Sequence, residues 1–142
     1  MKVTLQPGLT STKRVTVDRE RTISFMGEEG RVYATPRLIS DMEFTCRNFL
    51  LEHCDPGEDS VGAEIALKHL AATLEGSTVE ITARITSVEG RKIVFDVAAK
   101  DEIETISAGT HTRVIVDLPR RIERLRAKAA KLEAAKAAAA NS

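Results

Sequence analysis

Between residues 36 and 53, apolar side chains recur at three- and four-residue spacings, at Leu38, Ile39, Met42, Cys46, Phe49 and Leu50. That is the stripe of one amphipathic helix. From residue 61 the period changes to two. Val61, Ala63, Ile65, Leu67, His69 and Ala71 alternate with Gly62, Glu64, Ala66, Lys68, Leu70 and Ala72. Val79, Ile81, Ala83 and Ile85 repeat the alternation, as do Ile93, Phe95, Val97 and Ala99 after a tight turn at Glu89-Gly90. A last run over about 103–118 holds Ile106, Ala108, Val114, Val116 and Leu118. Alternation of this kind predicts strands. Segment 13–18 alternates as well and predicts a first strand, and 26–34, with its two glycines, predicts a loop. Thr35-Pro36 reads as the helix start, with Thr35 as N-cap and Pro36 at the first helical position, and Asp55-Pro56-Gly57 ends the helix. One helix followed by at least four consecutive antiparallel strands predicts an α+β layer architecture, since a single helix covers only one face of such a sheet.

Composition narrows the class. The chain has 142 residues, 42% of them hydrophobic, which suits one ordinary globular domain. No apolar run reaches the ~18 residues of a membrane span. Residues 1–8 do not read as a secretory leader, and a cytoplasmic protein is expected. Cys46 and Cys54 stand alone, without zinc spacing. No metal or redox cofactor is implied. The zero net charge divides unevenly: from Pro119 on there are seven basic residues against two acidic ones, and the rest has 14 against 19. With an acidic body, four Phe, one Tyr and no Trp, a basic face with stacking aromatics for nucleic acid is not visible. The chain therefore divides into a domain over 1–118 and a basic Ala-rich helical tail over 119–142. In the tail Ile122, Leu125, Ala129 and Leu132 form a short heptad seam, expected to decay and fray beyond Leu132.

Three residues break the pattern. Glu43 falls four after Ile39 and seven before Leu50, on the apolar helix face, where a carboxylate is expected to be desolvated. It is either a paired structural carboxylate, or a residue at the stripe's edge that snorkels out, or a base or nucleophile. His69 is in register with Val61, Ile65 and Leu67, so it points to the core face of its strand. A helix Glu and a strand His facing one apolar layer make a candidate acid–base pair. Thr35 is a cap by position, yet its hydroxyl lies two turns before Glu43 and can face the same cavity. His111 shares a strand face with Gly109, Arg113 and Asp117 and reads as solvated; His53 reads as structural beside the helix end.

The stretch VGAEIALKHLAAT at 61–73, with Gly76, Val79, the Val88-Glu89-Gly90-Arg91 turn and Gly109-Thr110-His111 followed by Arg113, resembles the fluoroacetyl-CoA thioesterase-like family. Ala34-Thr35 and Glu43 match its upstream element, so the resemblance runs from about Val32 to Val116. It implies the hot-dog fold, an antiparallel sheet wrapped around one long helix, which is also what the element order suggests. It implies hydrolysis of a short or medium acyl-CoA, with Thr35, Glu43 and His69 catalytic, the Gly62 amide at the thioester carbonyl, and Arg113 near the substrate. It implies dimers with the site near the subunit interface. Whether Glu43 or Thr35 is the nucleophile stays open. A non-catalytic acyl-CoA-binding module on the same fold is the alternative. The family's fluoroacetyl-specific member carries two phenylalanines in the segment before its catalytic threonine. Met26 and Glu29 match those positions, so fluoroacetyl-CoA is not the expected substrate.

Overall fold

A computed structural model describes residues 1–141. The helical stripe becomes α1 (Thr35–Leu51), and its buried face is Leu38, Met42, Thr45, Cys46, Phe49 and Leu50. Burying each large side chain of that face contributes about 1.5–3 kcal/mol. The cap differs from expectation. Ala34 is the N-cap, its carbonyl accepting from the Arg37 and Leu38 amides, and Thr35 is already helical. Pro36, in the first turn, lacks only an amide that would have no partner there.

The alternating runs form one antiparallel sheet of β1 (Thr10–Thr16), β4 (Glu58–His69), β5 (Thr78–Glu89), β6 (Lys92–Lys100) and β7 (Thr105–Asp117). Its spatial order is β1-β5-β6-β7-β4, which leaves β1 and β4 as edges. A small ladder of β2 (Thr22–Ile23) and β3 (Val32–Tyr33) closes the loop before α1. The β5–β6 hairpin turns on Gly90-Arg91, one residue later than expected, and Gly90 takes φ +60. A positive φ at the first central residue is what a two-residue hairpin of this hand needs. One face of the sheet packs on α1 through Val79, Ile81, Ala83, Ile85, Ile93, Phe95 and Ile115, all buried.

β4 departs from a single alternation. Its register with β7 shifts between Gly62 and Glu64. Before the shift Gly62 pairs with Arg113 and Ser60 with Ile115; after it Ile65 pairs with His111 and His69 with Ser107. The bulge thus puts even-numbered residues on the helix side first and odd-numbered ones afterwards, so Val61 does not share a face with His69. β4 lies close against β7 at Gly109, where an added Cβ would overlap the Ala66 carbonyl and stand 2.6 Å from Leu67 Cα. Gly109→Ala therefore has to push β4 away and is expected to cost about 1–3 kcal/mol, read as a lower urea midpoint.

The tail is α2 (Leu118–Ala140), capped by Asp117, whose side chain accepts from the Arg120 amide. It is helical past Leu132 to Ala140, as its alanines favour, and no residue in it is buried. Ser142, the last residue of the tail, lies outside the described residues.

Candidate active site

Two clusters of chemistry-bearing residues lie on the chain, one at the start of α1 and the end of β4, the other at the middle of α1 and the first half of β4. At the start of α1, Thr35 Oγ1 is 2.7 Å from His69 Nδ1 at the end of β4. They line a cleft of about 360 Å³ with Ile23, Val32, Tyr33 and Ala71. The other ring nitrogen, His69 Nε2, is buried without a hydrogen-bond partner. A buried polar atom left unpaired is costly, and a native structure keeps one where strain, a catalytic role or a further partner explains it.

The second cluster forms where the middle of α1 passes the first half of β4. Glu43 Oε2 stands 3.5 Å from Arg113 Nη1 and against the Gly62 backbone. A Cβ on Gly62 would overlap that carboxylate oxygen, so glycine is what lets Glu43 approach the strand. Of the readings left open for Glu43, the structure favours the edge of the apolar stripe over full desolvation: 49% of its side chain is exposed. Glu43, Phe44, Arg47, Gly62 and Arg113 border a shallow pocket of about 300 Å³.

Arg113 and His111 also overturn expectation. Both are buried rather than solvated. Arg113 donates from Nε to Ser60 Oγ at 2.7 Å and from Nη2 to the Ser60 carbonyl at 2.9 Å. Burial pushes its pKa down, opposed by Glu43, yet a guanidinium remains charged at any physiological pH. His111 Nδ1 donates to the Glu64 carbonyl at 2.7 Å, which leaves Nε2 to accept from Arg113 Nη1 at 3.2 Å. Its ring stacks on Phe95. A relay runs from the Glu64 carbonyl through neutral His111 and Arg113 to Glu43. Sequence reasoning missed His111 because alternation cannot tell the helix face from the solvent face of a strand without its register.

Burial lowers the His111 pKa; the hydrogen bond to the Glu64 carbonyl opposes this and Arg113 adds to it. The unfolded chain takes up a proton at this histidine below about pH 6.5 while the folded one stays neutral. The stability tied to neutral His111 is therefore complete above that pH and is lost as pH falls through the lowered folded value. Urea midpoints are expected to drop from about pH 7.5 to pH 5.5, and to drop less in His111→Gln.

Thr35 and Glu43 are eight residues apart on α1, a rise of about 12 Å. Gly62 and His69 are separated by about 20 Å along β4. Thr35 and His69 thus meet, and Glu43, Gly62 and Arg113 meet, but the two groups do not converge within one chain. Cys46 lies in the core beside the second group, its thiol pushed up to about 12 by burial, and so is no nucleophile.

A family model described as fluoroacetyl-CoA-specific thioesterase matches residues 17–118, a span that includes both groups. The chain belongs to this family. A fluoroacetyl-CoA thioesterase of Streptantibioticus cattleyicolor is 38% identical over 97 residues, 68% of this chain and 70% of the relative. A solved structure of the fluoroacetyl-CoA thioesterase FlK superposes with TM-score 0.80 at 32% identity, covering 87% of this chain and 97% of that one. A hot-dog-like protein from Thermanaerovibrio acidaminovorans superposes with TM-score 0.79 at 21% identity, covering 86% of this chain and 91% of the other. The fold is the hot-dog fold, as both the element order and the resemblance implied. All of α2 except Leu118 lies beyond the segment matched by the thioesterase family model. No helix among the described residues is long and apolar enough to cross a membrane.

Proposed function

We propose that this thioesterase-family chain hydrolyses acyl-CoA to a carboxylate and CoA as a cytoplasmic homodimer, with each active site assembled from both subunits. The observation that carries the proposal is His69 Nε2, buried, unpartnered and next to the Thr35 hydroxyl at the open sheet edge. β4 is twelve residues long, with one edge unpaired, with Ile65 exposed and with Leu70 exposed just beyond its end. Such an edge is normally covered. If two copies of β4 pair antiparallel about a dyad between Ile65 and Ala66, Gly62 of one falls opposite the partner's His69. That symmetry brings Glu43, Gly62 and Arg113 of one subunit to the partner's Thr35 and His69.

In such a site the Gly62 amide donates to the thioester carbonyl and stabilises the developing oxyanion. Glu43, held by Arg113, either takes a proton from the attacking water or attacks the carbonyl itself, expelling the CoA thiolate and forming an anhydride that water then hydrolyses. His69, oriented by Thr35, carries the proton to the departing CoA sulfur. The division of 1–118 as the catalytic domain and 119–142 as an added arm belongs to the same reading.

The test is release of free thiol from acyl-CoAs of varied length and polarity. Hydrolysis of at least one short or medium acyl-CoA is expected. A folded protein that releases no thiol across the panel would leave only an acyl-CoA-binding module. Within the panel, acetyl- and fluoroacetyl-CoA should differ little. Met26 and Glu29 are both exposed, and the neighbouring Glu28 is held outward by Arg19 and Arg31. This segment offers no dry aromatic wall. An apolar contact discriminates by only about 10–200-fold even in a closed pocket, so kcat/KM for the two substrates is expected to agree within about tenfold. A thousandfold preference for fluoroacetyl-CoA would overturn this reading of Met26 and Glu29.

A further inference from the structure

Arg113 is anchored on one side and shared on the other. Ser60 takes two of its protons, one from Nε on the hydroxyl and one from Nη2 on the carbonyl. Nη1 carries two more. It donates to His111 Nε2 at 3.2 Å and stands 3.5 Å from Glu43 Oε2. A guanidinium is planar, so holding Nε and both Nη atoms fixes its plane, and with it the edge that Glu43 meets. His111 is bound in turn to backbone. Its Nδ1 donates to the carbonyl of Glu64, the first residue of the ladder after the β4 bulge, and that bond leaves Nε2 as an acceptor. The ring lies beneath Gly62: a Cβ there would stand 3.4 Å from His111 Cε1 and 3.6 Å from Arg113 Nη1.

The core does not need a histidine at this place. His111 is 2% exposed and stacks on Phe95, where an apolar ring would pack without desolvating two nitrogens. Nor does His111 border the pocket formed at Glu43, Gly62 and Arg113, so it has no direct contact with a substrate there. Its connection to that pocket runs through Arg113. Glu43 is half-exposed, and Arg113 is its one ion-pair partner among the described residues. The place of the carboxylate therefore follows the place of Nη1.

We infer that His111 is a positioning residue for thioester hydrolysis: it locks the Arg113 guanidinium in the orientation that holds the Glu43 carboxylate against Gly62. The inference rests on the thioesterase reading of this site.

The test is a cycle of variants assayed at saturating acyl-CoA. His111→Phe keeps a stacking ring and removes both hydrogen bonds. It is expected to lower kcat by on the order of ten- to a hundredfold, the usual effect of a misplaced group, with KM within about threefold of native. His111→Gln, whose amide offers a donor and an acceptor side by side, should recover most of that loss. Adding His111→Phe to Glu43→Gln should cost less than about twofold more, because a residue that acts through Glu43 has nothing left to act on. Ile81→Val loosens the buried core on β5 and should leave kcat native, which separates positioning from stability. If His111→Phe does not fold, His111→Asn carries the same cycle, since its shorter amide cannot bond to Glu64 and Arg113 together. Nitrogen NMR of the native ring should find the proton on Nδ1 at neutral pH. Losses that multiply in the double variant, native kcat in the His111 variant, or a ring protonated on Nε2 would each overturn the inference. A native protein that releases no thiol fails the thioesterase reading and this role with it, whereas turnover with an Nε2-protonated ring fails this inference alone.

Discussion

Glu43→Gln and His69→Ala each lower kcat for a good acyl-CoA substrate by on the order of 10²-fold or more, the usual worth of a positioned acid–base group. The expectation follows from where the two side chains sit. Glu43 is half-exposed but tied to a buried guanidinium, 3.5 Å from Arg113 Nη1. The amide of the Gln variant still accepts from Arg113 but can neither attack a carbonyl nor take a proton. His69 is fixed by Thr35 through one nitrogen and keeps the other unpartnered. Its loss removes the proton carrier without opening the main core, because β4 is an edge strand. Both variants should keep near-native unfolding midpoints, which separates lost chemistry from lost structure. Wild-type kcat in either variant would make that residue structural. Loss of activity together with loss of cooperative unfolding would point the same way.

How much of this site was legible in the sequence depends on the kind of signal each residue gives. The helix stripe and the strand runs depend on local periodicity, and they fell within a few residues of their observed bounds. Residue types at fixed spacing singled out Thr35, Glu43 and His69, and the family resemblance added Gly62 and Arg113. The surroundings of these residues were less legible. The bulge between Gly62 and Glu64 is a one-residue event that alternation conceals, because apolar residues of both parities flank it. Once it is present, Val61 turns away from the helix and Gly62 turns towards Glu43. His111 and Arg113 read as solvated because polar residues on one strand face usually are. They are buried here because each satisfies the other: Arg113 donates to His111, and His111 donates to the Glu64 carbonyl. Mutual satisfaction of buried polar groups is a tertiary property, and no window of sequence contains it. Glu43 lies between two readings of its helix position: the apolar stripe suggested burial, but it sits at the margin of the stripe, half-exposed, where the proposed second subunit would cover it.

That last point leads to the largest effect expected. Mixing inactive Glu43→Gln and His69→Ala dimers, under conditions that let subunits exchange, should restore activity to about a quarter of wild type. The figure comes from symmetry. After random exchange about half of the dimers carry one subunit of each kind. In such a dimer one site holds both substitutions. The other pairs an intact Glu43 and Gly62 with the partner's intact His69 and Thr35. One working site in half of the dimers gives the quarter, against starting activities of about 1% or less. A site contained within one chain behaves differently, since every subunit in the mixture then carries a defect and no recovery is possible. In the proposed shared arrangement both groups reach a single carbonyl despite the separation of about 12 Å between Thr35 and Glu43 along α1. Recovery should build up at the rate of subunit exchange and disappear if the two variants are mixed without it. Activity that stays at the level of the separate variants, in a sample shown by mass to contain mixed dimers, would place Glu43 outside the site completed by His69 and overturn the two-subunit mechanism.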